Sequence, residues 1–213
     1  MAEIRNQSAW LSSALFGLSS IVAIAFSTFN QNPTPTQHAG MLTIVLVFAA
    51  TVTLPRVFMA EEEQQTFDFL RLIAKPEAIW LGKAAYCTVQ MVLNGLVLAL
   101  LYSVFTKVQV VNYPLYFGAT LLEAIALGVS LSLCGSIALG ASSRWLLTTV
   151  IALPLVLPQI AISIGAIRPA LGEGSVSGGI QNLVALLGFA IAMVTFGPPL
   201  SKVLWKLYPG KQD

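Results

Sequence analysis

Charge is what this chain most lacks: only 9% of its 213 residues are Asp, Glu, Lys or Arg, against about 25% in an ordinary soluble domain. With 56% hydrophobic residues and a mean hydropathy of +0.81, so little charge leaves no means of covering the apolar surface with a polar one. A soluble globular domain is excluded. Two cysteines, Cys87 and Cys134, both inside apolar runs, exclude a disulfide framework, and no Cys-x-x-Cys or Cys-x-x-Cys-His occurs. One histidine, His38, falls in what reads as a loop and offers no metal cluster or haem-iron ligand set. There is no Gly-x4-Gly-Lys-Ser/Thr loop, no His-Glu-x-x-His, no Gly-x-Ser-x-Gly and no paired-carboxylate site. The chain therefore has no residues with which to hydrolyse ATP, bind a metal or run covalent catalysis, and it reads as a non-enzyme. The net charge of +2 carries no nucleic-acid footprint.

What remains is long apolar segments. Gly40 to Leu54 and Trp145 to Ile167 contain no ionisable side chain. A bilayer core about 30 Å thick needs about 20 apolar residues in a helix, and within lipid only helices and closed barrels satisfy every backbone polar group. These runs do not alternate polar with apolar residues, so helices are expected. The fold class is all-α: a polytopic membrane protein of about six transmembrane helices, residues 1–213 forming a single transmembrane domain. The expected spans are Ser8 to Phe29, Ala39 to Val57, Pro76 to Phe105, Tyr113 to Leu139, Trp145 to Ala166 and Ile180 to Phe196. Ala23-Ile24-Ala25 has the shape of a signal-cleavage site, but the apolar run continues through Phe26 and Phe29, so the first helix is expected to be retained. Arg168 to Gly179 reads as a loop, and Gly197-Pro198-Pro199 as a bend before a basic tail.

Lysine and arginine set the orientation. With the N-terminus inside, Arg5, Arg56, Arg71, Lys75, Lys83, Arg144, Lys202, Lys206 and Lys211 face the cytoplasm, and only Lys107 and Arg168 face outward. Both termini are expected to be cytoplasmic.

Few polar residues stand out. Glu61 to Lys75 reads as an amphipathic helix along the cytoplasmic surface, with Phe67, Leu70 and Ala74 on one face and Gln64, Asp68, Arg71 and Lys75 on the other. A helix tucked into headgroups and a docking surface for a soluble partner both fit this pattern. Glu61, Glu62 and Glu63 side by side are poor ligands for an anionic leaflet and favour the partner. Within the apolar runs, Gln90 and Asn94 share a face expected to make interhelical hydrogen bonds. Glu123 is the one carboxylate deep in a run, and a structural hydrogen bond and a transport role are both open for it. Ser132, Ser136 and Gly140 form a small-residue ridge for close helix contact. Pro154 and Pro158 each remove a backbone donor from the fifth helix and mark a kink, expected to lie against protein or a cavity.

Three stretches together resemble a known family. They are Ala2 to Leu11, then Phe48 through Arg56-Val57-Phe58, Glu61-Glu62-Glu63 and Phe69-Leu70-Arg71-Leu72-Ile73 to Trp80-Leu81-Gly82-Lys83, and finally Ser143-Arg144-Trp145-Leu146-Leu147 continuing into Leu153-Pro154-Leu155-Val156-Leu157-Pro158. The chain resembles the cytochrome c maturation protein B family of haem exporter permeases (CcmB), within the ABC-2 type permeases. Family members carry a longer amphipathic stretch before the first helix; here about seven residues precede it. The resemblance implies an inner-membrane permease subunit of an ABC complex in cytochrome c biogenesis, dimeric, with ATP hydrolysed by a separate CcmA-like subunit. It also implies a CcmC-like haem-handling membrane subunit and a CcmE-like haem chaperone as partners. Haem enters as a transported or handled ligand, or ATP-driven motion releases the loaded chaperone. With one histidine and no tryptophan-rich motif, the residues lean toward release. An ABC-2 permease for a lipid, drug or glycan and a non-transporting membrane scaffold remain alternatives.

Overall fold

The computed structural model describes the backbone of residues 2–63, 75–138 and 144–207, and the side chains of residues 11–52, 75–137, 147–148 and 150–203. Its described residues form α1 (Ala2–Ser27), α2 (Pro35–Glu63), α3 (Pro76–Thr106), α4 (Tyr113–Ala138), α5 (Arg144–Ile167), a 3-10 turn (Arg168–Leu171) and α6 (Val176–Leu207). No strand occurs among them. Among the described residues five helices are long and apolar enough to cross a membrane, over Pro35–Val52, Pro76–Thr106, Tyr113–Ile137, Val150–Leu171 and Val176–Val203. The apolar part of α1, Leu11–Ser27, is a little shorter. The chain is an all-α polytopic membrane protein.

α4 sits in the middle, packed against α2, α3, α5 and α6. Its inward stripe, Tyr116, Thr120, Glu123, Leu127, Ser130 and Cys134, steps by four and three and is wholly buried. Such depth needs close helix approach, and small residues supply it. A Cβ on Gly128 would stand 2.7 Å from the Thr88 Cα of α3. One on Gly95 would stand 3.2 Å from Ala124 Cβ and 3.6 Å from Leu46 Cδ2, so α2, α3 and α4 meet in one layer. Outward faces are apolar instead: Val89, Leu93, Val97, Leu100 and Val104 on α3, and Ile180, Val184, Leu187 and Ile191 on α6, are exposed as lipid-facing residues would be.

Two bundle ends can be told apart by their contacts. At one, the N-terminus of α2 meets the turn after α5, and we call it the Glu173 end. At the other, Glu77 at the start of α3 pairs with Lys202 on α6 at 3.3 Å; we call it the Glu77 end.

Two expectations need correction. α6 does not bend out of helix at Gly197-Pro198-Pro199 but continues to Leu207. Proline's φ is compatible with helix, and Gly197 lacks the Cβ that would collide with the Trp80 ring of α3, so the two helices close over this point. His38 is not in a loop: it lies in the first turns of α2, buried, because the helix begins at Pro35, where proline fits the first position. α5 continues as helix through Pro154 and Pro158, and both prolines lie on the outer surface of the described bundle. A proline facing outward loses its hydrogen bond without clashing with a neighbouring helix.

Candidate functional site

The polar residues expected in the membrane fall into separate groups rather than one pocket. Asn94 donates from Nδ2 to Ser13 Oγ at 2.7 Å, and Ser13 donates in turn to the Ala49 carbonyl at 2.8 Å. This bridge ties α3 to α1 and α2, as expected for Asn94. Gln90, one turn nearer the Glu77 end, has neither amide atom hydrogen-bonded among the described residues. α1 and α3 run in register, with Ser13 opposite Asn94 and Gly17 opposite Leu98, so Gln90 lies level with residue 9, whose side chain is outside the described set. Ser13→Ala removes both bonds of the bridge and is expected to cost about 0.6–1.7 kcal/mol, read as a lowered midpoint of thermal unfolding in detergent.

Glu123 is 1% exposed on the central stripe, and neither carboxyl oxygen has a hydrogen-bond partner among the described residues. Gln159 of α5 donates from Nε2 to the Glu123 backbone carbonyl at 3.3 Å, and its Oε1 lies 3.5 Å from Ser130 Oγ. The structural hydrogen bond open to Glu123 on sequence grounds is thus made by its main chain and not by its carboxyl. Ser132 and Ser136, the described part of the small-residue ridge, turn their hydroxyls back to the carbonyls of Gly128 and Leu133. Folding the hydroxyls onto their own helix leaves a smooth surface for packing.

At the Glu173 end, several segments are tied together by groups that the sequence reading did not single out. The Glu173 carboxylate accepts from the Thr36 amide at 3.0 Å and the Thr36 hydroxyl at 2.8 Å. It thereby caps α2 from the far side of the chain, where the helix dipole favours an anion. The Ala170 carbonyl accepts from the Val111 and Asn112 amides at 2.9 and 3.0 Å, binding the α3–α4 connection to the same turn. Gly172 and Gly174, at φ +95° and +102°, allow the chain to fold back so sharply. Beneath this cap His38 Nδ1 and Tyr102 Oη are 3.0 Å apart, and the Tyr116 hydroxyl donates to the Ala99 carbonyl at 3.0 Å.

The Thr36 hydrogen bonds, helped by nearby Arg168, hold the Glu173 carboxyl below its ordinary value of 4.5. A depressed value in the folded chain means that the cap contributes above pH 4.5 and is lost as pH falls through the lower folded value. Glu173→Gln is therefore expected to loosen this end at neutral pH, measured as faster amide hydrogen exchange at residues 34–38. In the unsubstituted chain the same loosening is expected only in acid.

The surface segment expected to grip a partner is only partly in view. Glu61, Glu62 and Glu63 form the last residues of α2, while Gln64, Asp68 and Arg71 lie outside the described residues. No cluster of three or more His, Cys, Asp or Glu suited to a metal ion occurs among the described residues.

A bundle of long apolar helices around a small-residue seam, with several of its polar groups tying helix to helix, defines a polytopic membrane protein. The model of the family described as CcmB protein matches residues 2–201, nearly the whole chain, and the chain belongs to the CcmB family. That membership gives a transporter membrane subunit of the haem-exporter ABC system of cytochrome c biogenesis, a component of the inner membrane. No curated protein matches the chain.

Proposed function

We propose that the chain, acting as one permease domain, couples ATP hydrolysis by a CcmA-like subunit to haem delivery in cytochrome c biogenesis. The observation that carries this reading is the family match across residues 2–201. Two copies pair with two ATP-binding subunits, and the assembly works beside a CcmC-like membrane subunit and a CcmE-like haem chaperone. The Glu77 end faces the cytoplasm, since it carries Lys75, Lys83 and Lys202, whereas Lys107 and Arg168 lie at the opposite end. Both termini are then cytoplasmic, and Glu61 to Lys75 lies where a cytosolic motor can hold it.

Release of the haem-loaded chaperone fits the side chains better than passage of haem through this subunit. The lone histidine, His38, is buried and engaged with Tyr102 rather than presented to a ligand. Haem is accordingly handled by the complex as a whole.

Deleting the gene in its host is expected to remove covalently bound haem from c-type cytochromes, read by haem staining of membrane and periplasmic fractions. Re-expression of the chain is expected to restore it. Unchanged cytochrome c in the deletion strain would overturn the reading.

A further inference from the structure

Glu123 is a group that the permease reading leaves without a use. It sits one residue from Ala124, in the layer where Gly95 of α3 and Leu46 of α2 meet α4, and the carboxyl is almost wholly buried with neither oxygen paired among the described residues. From α5 it is faced by Ser163, whose buried hydroxyl is itself without a hydrogen-bond partner among the described residues and stands beside the carboxyl without reaching hydrogen-bond geometry. Gln159, also on α5, is committed to the Glu123 main chain.

Among the described residues no positive charge answers the carboxyl. The titratable groups on α3 are remote along the helix: Lys83 and Cys87 lie about three and two turns toward the Glu77 end, and Tyr102 about two turns the other way. On α2, His38 is engaged with Tyr102, about two turns from the Leu46 layer. On α6, Lys202 is paired with Glu77 at the bundle end. On α4 itself, Tyr116 lies two turns away and donates to Ala99, and Cys134 lies about three turns away in the other direction. The described part of α1 brings no charged side chain.

An anion in such a place is held against the cost of its lost hydration, with nothing among the described residues to offset it. The neutral acid removes that cost, and its O–H can reach the Ser163 hydroxyl after a small rotation. We propose that Glu123 is a proton-binding site in the membrane core, closed by the α4–α5 contact. Its carboxyl carries a proton in this conformation. When α4 and α5 part and admit water, the O–H bond breaks, the proton passes to water, and the carboxylate left behind is hydrated. The site goes beyond the haem-exporter reading and does not depend on it.

The test uses the purified full chain in lipid nanodiscs and infrared absorption of the carboxylic acid C=O group at neutral pH. A carboxyl of ordinary pKa is ionised there and gives no such band. The expected result is one protonated-acid band that disappears in Glu123→Gln, a variant with the shape of the neutral acid. In Ser163→Ala the band is expected to persist at a shifted position, which keeps the test open if the glutamine variant does not fold. Absence of the band in the unsubstituted chain, its persistence in Glu123→Gln, or an unshifted position in Ser163→Ala would each overturn the proposal. Because the measurement needs neither haem nor a partner, it stands or falls apart from cytochrome c maturation.

Discussion

Replacing Glu62 and Asp68 together by lysine is expected to abolish recovery of an ATP-binding subunit with this chain and to stop cytochrome c maturation. Glu61 to Lys75 carries an acidic start on a chain otherwise short of carboxylates. If its polar face grips a soluble ATPase, two reversed charges place like against like at the contact. Such juxtaposition costs several kcal/mol, so affinity should fall by about 30-fold or more, at about 1.4 kcal/mol per factor of ten. The variant should still insert, because the apolar spans are untouched, and its level in the membrane fraction is the control. Normal recovery of the ATPase with normal maturation would remove the docking role from this segment.

The second large effect is expected from one methyl group. Gly128→Ala places a Cβ 2.7 Å from the Thr88 Cα and 3.0 Å from its Oγ1. A backbone atom cannot turn aside, so α3 and α4 must separate along the most buried helix of the bundle. Overpacking of this kind costs about 1–3 kcal/mol, and the loss should appear as a lower unfolding temperature in detergent and less protein in the membrane. Gly118→Ala, on the same helix, meets nothing within 4 Å and serves as the matched control. Equal stability of the two variants would contradict the close α3–α4 seam.

The helices were legible because their cause is local. A charge-free run long enough to span lipid has few alternatives, and the starts at Pro76 and Tyr113 fall where the sequence reading places them. Errors arose where tertiary contact overrode a local signal. Gly197-Pro198-Pro199 has the composition of a bend, yet helix persists because Trp80 packs over the glycine. His38 follows a turn-rich segment and looks like a loop residue, but α2 begins earlier, and Tyr102 supplies a partner 64 positions away.

The polar groups show the same division. Asn94 was legible as an interhelical tie because an amide in an apolar run has little else to do. Its partner Ser13 was not, since serine is common in membrane helices and carries no directional cue. Gln159 and Ser163 carry a readable signal, two polar residues four apart in the uncharged run of α5, beside the more conspicuous prolines. Glu173 had none: its bond to Thr36 joins positions 137 apart, and no spacing rule reaches that far.

The central claim, that this permease is moved by a separate ATP-driven subunit, is tested most directly by purifying the full chain from its own membranes in mild detergent. The co-purifying proteins are then identified by mass spectrometry. An ATP-binding subunit in equal amount, together with the haem-handling membrane subunit, is the predicted result. Recovery of intact, folded chain with no ATP-binding protein would mean that its helices are not driven from the cytosol at all, and would contradict the account.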